Sequence, residues 1–215
     1  MIETSRIITL VLGLAALVST AQAWEMAQVN EIRALADLAP SSAQHDRIIL
    51  DHAARLEEVL SYRKLVVEAR SSDTKAQLVY MALRFLRNIS DVQGLALDAP
   101  NATVHDNVLL HGQRLCRSVR DIRCLVDVAR WSETKVSLLN SGLALAGGLQ
   151  DIIWLAKLSP NSTQRDQILL QGVPFCSSAS DAGSLAAEAS TAATKQAIAA
   201  QYSRRARFSS LFGSR

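Results

Sequence analysis

The sequence predicts an all-α protein, and three observations carry that expectation. The chain repeats itself with a period of 60 residues and no gaps, and apolar residues recur at alternating spacings of four and three. No useful stretch alternates with the period of two that a half-buried strand requires. With 215 residues, 49% of them apolar and 20% charged, the chain also has a globular rather than a disordered balance. The expected architecture is a set of three gapless helical-hairpin repeats, forming a short α-solenoid or an up-and-down helical bundle.

The N-terminus reads as an export signal. Arg6 precedes the apolar run from Ile7 to Val18, and the run ends in Ala21-Gln22-Ala23, with small residues where a signal peptidase needs them. Twelve apolar residues rise only about 18 Å as a helix, too short for a bilayer core of roughly 30 Å, so cleavage fits better than anchoring. Residues 1–23 are therefore expected to leave, the mature chain to begin at Trp24, and the protein to reach an extracellular or periplasmic space.

The body divides into residues 29–88, 89–148 and 149–208, within a helical domain of 24–208. Nine columns are identical in all three blocks: Leu35/Leu95/Leu155, Ala36/Ala96/Ala156, Pro40/Pro100/Pro160, Asp46/Asp106/Asp166, Leu50/Leu110/Leu170, Leu65/Leu125/Leu185, Ala69/Ala129/Ala189, Thr74/Thr134/Thr194 and Lys75/Lys135/Lys195. Tetratricopeptide, ankyrin and HEAT-type units are all shorter than this period.

Each block reads as two helices of roughly 25 residues, about 38 Å at 1.5 Å per residue. Val108, Gly112, Leu115, Val119, Ile122, Val126 and Ala129 form the seam of the first helix in the second block. Its start is signalled by Pro100 and by Thr103 with Asp106 three residues on, a capping pattern that Thr163 and Asp166 repeat. In the first block Ala43 breaks the pattern and Ser42 stands in. The second helix starts near Ser72 or Ser132. In the third block Gly172, Pro174 and Gly183 interrupt the pattern, and Pro174 is expected to kink or split the helix.

The recurring Thr-Lys pair is the oddest feature, because lysine stands in a first helical turn where the macrodipole disfavours a cation. One reading pairs each lysine with an acid at the end of the preceding helix, namely Glu68, Asp127 or Glu188. The other gathers Thr74, Lys75, Thr134, Lys135, Thr194 and Lys195 along one edge that holds phosphate, sulfate or a polyanion. Ser72-Asp-Thr-Lys75 and Ser132-Glu-Thr-Lys135 match the serine-lysine arrangement of penicillin-binding enzymes. The partner motifs are missing, however, and Ala192 replaces the serine in the third block.

Of the histidines, His45 and His105 each precede an aspartate; that aspartate reads as a cap, because adjacent helical residues diverge by about 100°. His45 and His52 are seven apart and Arg165 replaces the histidine in the third block, so no metal site is expected. Nor does any motif imply a cofactor or a catalytic group. Cys116 and Cys176 share a column and read as small buried hydrophobes. Cys116 and Cys124 are about 12 Å apart on one helix, out of disulfide reach. Cys124 reads as exposed, able to link two chains. Asn101 and Asn161 head N-x-[ST] sequons in equivalent loops, acceptors for glycans in a eukaryote.

The formal charge of +3 is a matter of the ends. Residues 24–203 hold 18 basic and 19 acidic residues, while 204–215 hold four arginines and no acid. Arg204, Arg205, Arg207, Phe208 and Phe212 make this tail, of which 209–215 follows the last block, a candidate for an anionic membrane surface. With 5% aromatic residues and five lysines among 23 basic ones, the chain has little material for stacking bases, and sequence-specific nucleic-acid binding is not expected. The functional expectation is an exported, non-enzymatic repeat protein that binds or scaffolds a protein partner through an extended surface. The alternative is a binder of anionic membranes or polyanions through the lysine edge and the arginine tail.

Overall fold

A computed structural model of the chain describes Thr20 and residues 23–212, with side chains through Phe208. The expected signal segment and the end of the tail lie outside the described residues. Every described regular element is helical. Residues 23–37 form α1, followed by α2 (Ser42–Ala53), α3 (Val59–Glu68), α4 (Ser72–Ala82), α5 (Ile89–Leu97), α6 (Ala102–Gly112), α7 (Val119–Val128), α8 (Ser132–Leu143), α9 (Leu149–Lys157), α10 (Ser162–Gln171), α11 (Ala179–Ala187) and α12 (Ala192–Phe212). Single 3₁₀ turns cover Leu83–Phe85, Gln113–Leu115 and Val173–Phe175.

Helices α2 to α11 are about half the expected length, and their caps show why. The seam through Val108, Ile122 and Val126 is buried as the spacing requires, yet it belongs to two helices. After Gly112 the chain makes a 3₁₀ turn, extends at Cys116 (φ −69°, ψ 130°) and restarts at Ser118. There the Ser118 hydroxyl accepts the Asp121 N–H at 3.2 Å, while the Asp121 carboxylate accepts the N–H groups of Arg117 at 2.9 Å and Ser118 at 3.1 Å. This reciprocal box satisfies donors that a continuous helix would have bonded internally. Ser178 and Asp181 repeat it before α11. Pro174 lies inside the 3₁₀ turn between α10 and α11, so the expected split at that proline falls at a break that the second block makes without a proline.

The caps of α6 and α10 also differ from expectation. Asn101 Oδ1 accepts the Val104 N–H at 2.9 Å and Asn161 Oδ1 accepts the Gln164 N–H at 2.8 Å, in place of Thr103 and Thr163. For α2 the cap is Ser41, not Ser42.

The chain divides into two compact units, residues 1–87 with 94–108, and 88–93 with 109–215. In the first, α3 packs on α4 around Ile49, Leu56, Tyr62, Leu65 and Leu78, all 0 or 1% exposed. The buried Tyr62 hydroxyl donates to the Ala53 carbonyl at 2.8 Å, and its ring stacks on Phe85 with centroids 5.7 Å apart. In the second, α7 packs on α8, α9 on α10 and α11 on α12, around Ile122, Leu125, Leu138, Leu139, Ile152 and Leu155. Burying side chains of this size stabilises each unit by about 1.5–3 kcal/mol apiece before entropy is counted.

Candidate functional site

The repeated aspartate organises the region around the Thr-Lys pair. From α2, the Asp46 carboxylate accepts the Arg70 N–H at 2.9 Å and the Ser71 N–H at 2.8 Å, the free donors ahead of α4. The Ser71 hydroxyl in turn accepts the Thr74 N–H at 3.1 Å and donates to the Thr74 hydroxyl at 2.8 Å. Asp166 on α10 does the same for α12, accepting from Ser190 N–H at 2.7 Å and Thr191 N–H at 3.2 Å; Thr191 then accepts the Thr194 N–H at 3.1 Å. The aspartate therefore caps a helix 24 or 25 residues away, not its own.

Its electrostatics follow from those donors. Burial pushes the Asp46 carboxyl up, but the N–H groups of Arg70 and Ser71 and the His45 ring more than offset this and hold it well below the usual carboxylate range. Asp166 is lowered against the same burial by Ser190, Thr194 and Thr191. His45 also departs from expectation: its Nδ1 lies 3.1 Å from Asp46 Oδ1, and His105 Nδ1 lies 2.7 Å from Asp106 Oδ1. A carboxylate can bend back to its neighbour's ring while still reaching the distant backbone, which the angle between adjacent side chains alone does not reveal.

Thr74, Thr134 and Thr194 are buried, at 6%, 3% and 8% exposure. Lys75 and Lys135 are half-buried and Lys195 is exposed. Among the described residues none of the three lysines makes an ion pair. The acids expected to partner them are taken: Glu68 by Arg33 at 2.8 Å, Asp127 by Arg123 at 3.4 Å, and Glu188 by Lys157 and Arg165, each at 2.9 Å. Those cations, first Lys157 and then Arg165, hold the Glu188 carboxyl low.

Two open grooves meet on the first unit. One, of 540 Å³, runs beside Asp46, Arg70, Ser71 and Thr74; the other, of 510 Å³, is lined by Leu35, Leu38, Pro40, Gln44 and Ile48. Arg47 and Asp51, paired at 3.7 Å on α2, line both. Two of the apolar residues lining the second groove are exposed, Leu35 at 41% and Leu38 at 82%.

The remaining candidates fall as follows. Cys116, Cys124 and Cys176 are free thiols; Cys176 is buried and the other two are half-buried. Burial first, then the nearby Asp121, pushes the Cys116 thiol up to about 11. Because the chain breaks after Cys116, it and Cys124 do not share one helix, and Cys124 is half-buried rather than exposed. Asn101 and Asn161 are exposed caps whose Oδ1 atoms are engaged, a role that leaves each amide nitrogen facing away from the bond. The tail continues α12 to Phe212, with Arg204, Arg207 and Phe208 exposed. Arg205 is committed: its Nη1 donates to the carbonyls of Val173 at 3.2 Å, Pro174 at 2.5 Å and Cys176 at 3.2 Å.

Two structural contacts leave no local mark in the sequence, the Arg205 clasp and a cap from Glu25, whose Oε1 accepts the N–H groups of Glu57 and Glu58 at 2.8 Å each. Among the described residues no three His, Cys, Asp or Glu gather to hold a metal ion, and no helix is long and apolar enough to cross a membrane. The fold and its exposed groove define an all-α protein with an open apolar face. In comparison with known proteins, the chain matches no family model, no curated protein and no solved structure.

Proposed function

We propose that this is an exported, non-enzymatic protein of three 60-residue helical units, 29–88, 89–148 and 149–208, that binds a protein partner through the apolar face of its first unit. The repeat reading is supported by the helix starts: 42, 102 and 162; 59, 119 and 179; 72, 132 and 192; 89 and 149. Each set is spaced by 60. The unit is then four short helices, not two long ones.

One observation carries the binding reading. Leu95 and Leu155 are fully buried, while Leu35, in the same column, is 41% exposed and borders the 510 Å³ groove. Leu155 lies against the close backbone at Gly142 of the preceding block, where a Cβ would come within 2.8 Å of Leu155 Cδ2. Leu35 has no such neighbour and stays exposed. An exposed apolar patch with a charged border is the usual mark of a docking surface. Affinity capture from the extracellular or periplasmic fraction tests the reading with wild type beside Leu35→Asp/Leu38→Asp. Specific partners retained by wild type alone support it, and identical captures by both proteins overturn it.

A second reading, binding of an anionic membrane or polyanion, is favoured by the lysines: Lys75, Lys135 and Lys195 recur at one helical position and make no ion pair among the described residues. It is weakened at the tail, where Arg205 is spent on backbone carbonyls. Co-sedimentation with anionic vesicles that falls with salt, and falls again when all three lysines become serine, is the outcome it requires.

A further inference from the structure

We propose that the cavity between α1 and the end of α2 binds a small apolar α-amino acid as its zwitterion. The cavity measures 80 Å³, and Ile32 and Leu56, 5% and 1% exposed, form its apolar wall with Leu35. At roughly 10–15 Å³ for each water-sized position, it has room for about five to eight non-hydrogen atoms. Its origin lies in one side chain. Gly112 and Gly172 stand 60 and 120 residues beyond His52, and there the chain closes without clearance: a Cβ at Gly112 would overlap Val92, and one at Gly172 would lie 2.7 Å from Ile152 Cγ2. Val92 and Ile152 are themselves 60 and 120 residues beyond Ile32. Between α1 and α2 the glycine is replaced by His52, and an open cavity lined by His52 and Ile32 takes the place of the tight contact. Arg55 also lines it, at a position followed at the same intervals by Leu115 and Phe175.

The polar lining lacks protein partners. Gln28 lines the cavity with a side-chain Oε1 that is buried and accepts no hydrogen bond. Among the described residues the exposed side chains of Glu31 and Arg55 pair neither with each other nor with any other group. A buried acceptor without a donor is costly, so a donor is called for from the cavity. Ordered water alone answers that acceptor, but it leaves unused an acid and a guanidinium held apart around one space. A carboxylate ligand brings acceptors only, so it would face Glu31 and leave Gln28 Oε1 without a donor. An amine alone would face Arg55. A zwitterion answers both sides: its ammonium donates to Gln28 Oε1 and Glu31, and its carboxylate takes the planar fork of Arg55. A short aliphatic side chain then lies on Ile32, Leu35 and Leu56, and alanine and valine are within the size limit.

Isothermal titration calorimetry on the dialysed full chain tests this, with L-alanine, L-valine, isovalerate and isobutylamine as probes. L-Valine is expected to bind at one site per chain. Isovalerate, which lacks the ammonium, and isobutylamine, which lacks the carboxylate, should bind at least tenfold more weakly. Glu31→Gln and Arg55→Gln are each expected to weaken L-valine binding at least tenfold. Both side chains are exposed, so the thermal melt of the unliganded protein should not move. Failure of both amino acids to bind overturns the proposal and leaves Gln28 to ordered water. Isovalerate or isobutylamine binding as tightly as L-valine overturns the ligand class, and an affinity unchanged by either substitution overturns the site.

Discussion

Asp46 on α2 accepts the Ser71 N–H at 2.8 Å, across 25 residues of chain, and so ties α2 to the start of α4. A carboxylate in this position adds to the local Ser71 cap of α4 and ties the start of that helix to α2. The sequence has aspartate 60 and 120 residues further on, and Asp166 makes the equivalent bonds to Ser190 and Thr191.

This relationship predicts acid sensitivity. Asp46 and Asp166 titrate lower in the fold than in the unfolded chain, where an aspartate sits near 3.9. The stabilisation is therefore fully present above the unfolded value and is lost as the pH falls through and below about 4 toward the folded values. Asp46→Asn should cost about 2 kcal/mol at pH 7, from the loss of charge on a buried acceptor of two N–H groups. Urea melts from pH 7 to pH 2.5 check it: the gap between wild type and variant should shrink as the unfolded chain's Asp46 takes up a proton below about 4 while the folded one resists it. A gap that stays constant would remove the carboxylate's charge from the account.

How much of this was legible follows from where each partner lies. The 60-residue columns, the helical class and the buried seam through Val108, Ile122 and Val126 are local or periodic features, and the sequence displays them. The helix breaks were hidden because apolar spacing stays in phase across the turn at Gln113–Leu115, so the seam reads as unbroken. Ser118 and Asp121 were the available signal, since a serine with an acid three residues on marks a start even inside a periodic run. The Asp46, Glu25 and Arg205 contacts span 24 to 33 residues and leave no local pattern at all. Only the identity of the Asp46/Asp106/Asp166 column pointed to one of them.

Glu25 supplies a second prediction. A serine and aspartate box starts α7 and α11, but Glu58 and Ser61 stand in the corresponding positions at the start of α3. Glu25, 6% exposed on α1, replaces the box by accepting the N–H groups of Glu57 and Glu58. Glu25→Ala should cost about 1–2 kcal/mol, the usual worth of a cap with a charged acceptor. Hydrogen exchange should accelerate at Glu57 and Glu58 first. Installing the missing box by Glu58→Ser/Ser61→Asp in the Glu25→Ala background should recover most of the loss.

Arg205 and Arg204 should separate sharply although they are neighbours. Arg205 donates to three carbonyls left at the end of the Val173–Phe175 turn, whereas Arg204 is exposed. Arg205→Ala is expected to cost about 1 kcal/mol, modest because the site is open to solvent, and to raise amide exchange in the last turns of α12. Arg204→Ala should stay within about 0.5 kcal/mol of wild type. Equal effects from the two substitutions would mean that the clasp contributes nothing to holding the helix.

Two glycines should respond in opposite directions. Gly112 closes α6, and a Cβ built there overlaps Val92 Cγ1 and lies 2.5 Å from Val92 Cγ2. Gly112→Ala gains up to about 1 kcal/mol of helix propensity, yet forcing a methyl against a 0% exposed valine costs about 1–3 kcal/mol, so net destabilisation is expected. Gly148 caps α9 with extended backbone, has no atom within 4 Å of its Cβ position and offers no side-chain acceptor. In the same column Asn88 accepts the Asp91 N–H at 2.9 Å. Gly148→Asn should therefore raise stability by a few tenths of a kcal/mol, roughly the difference between an asparagine and a glycine cap. Denaturant midpoints measured side by side decide it, and a Gly112→Ala protein as stable as wild type would show that α6 shifts away from Val92 at no cost.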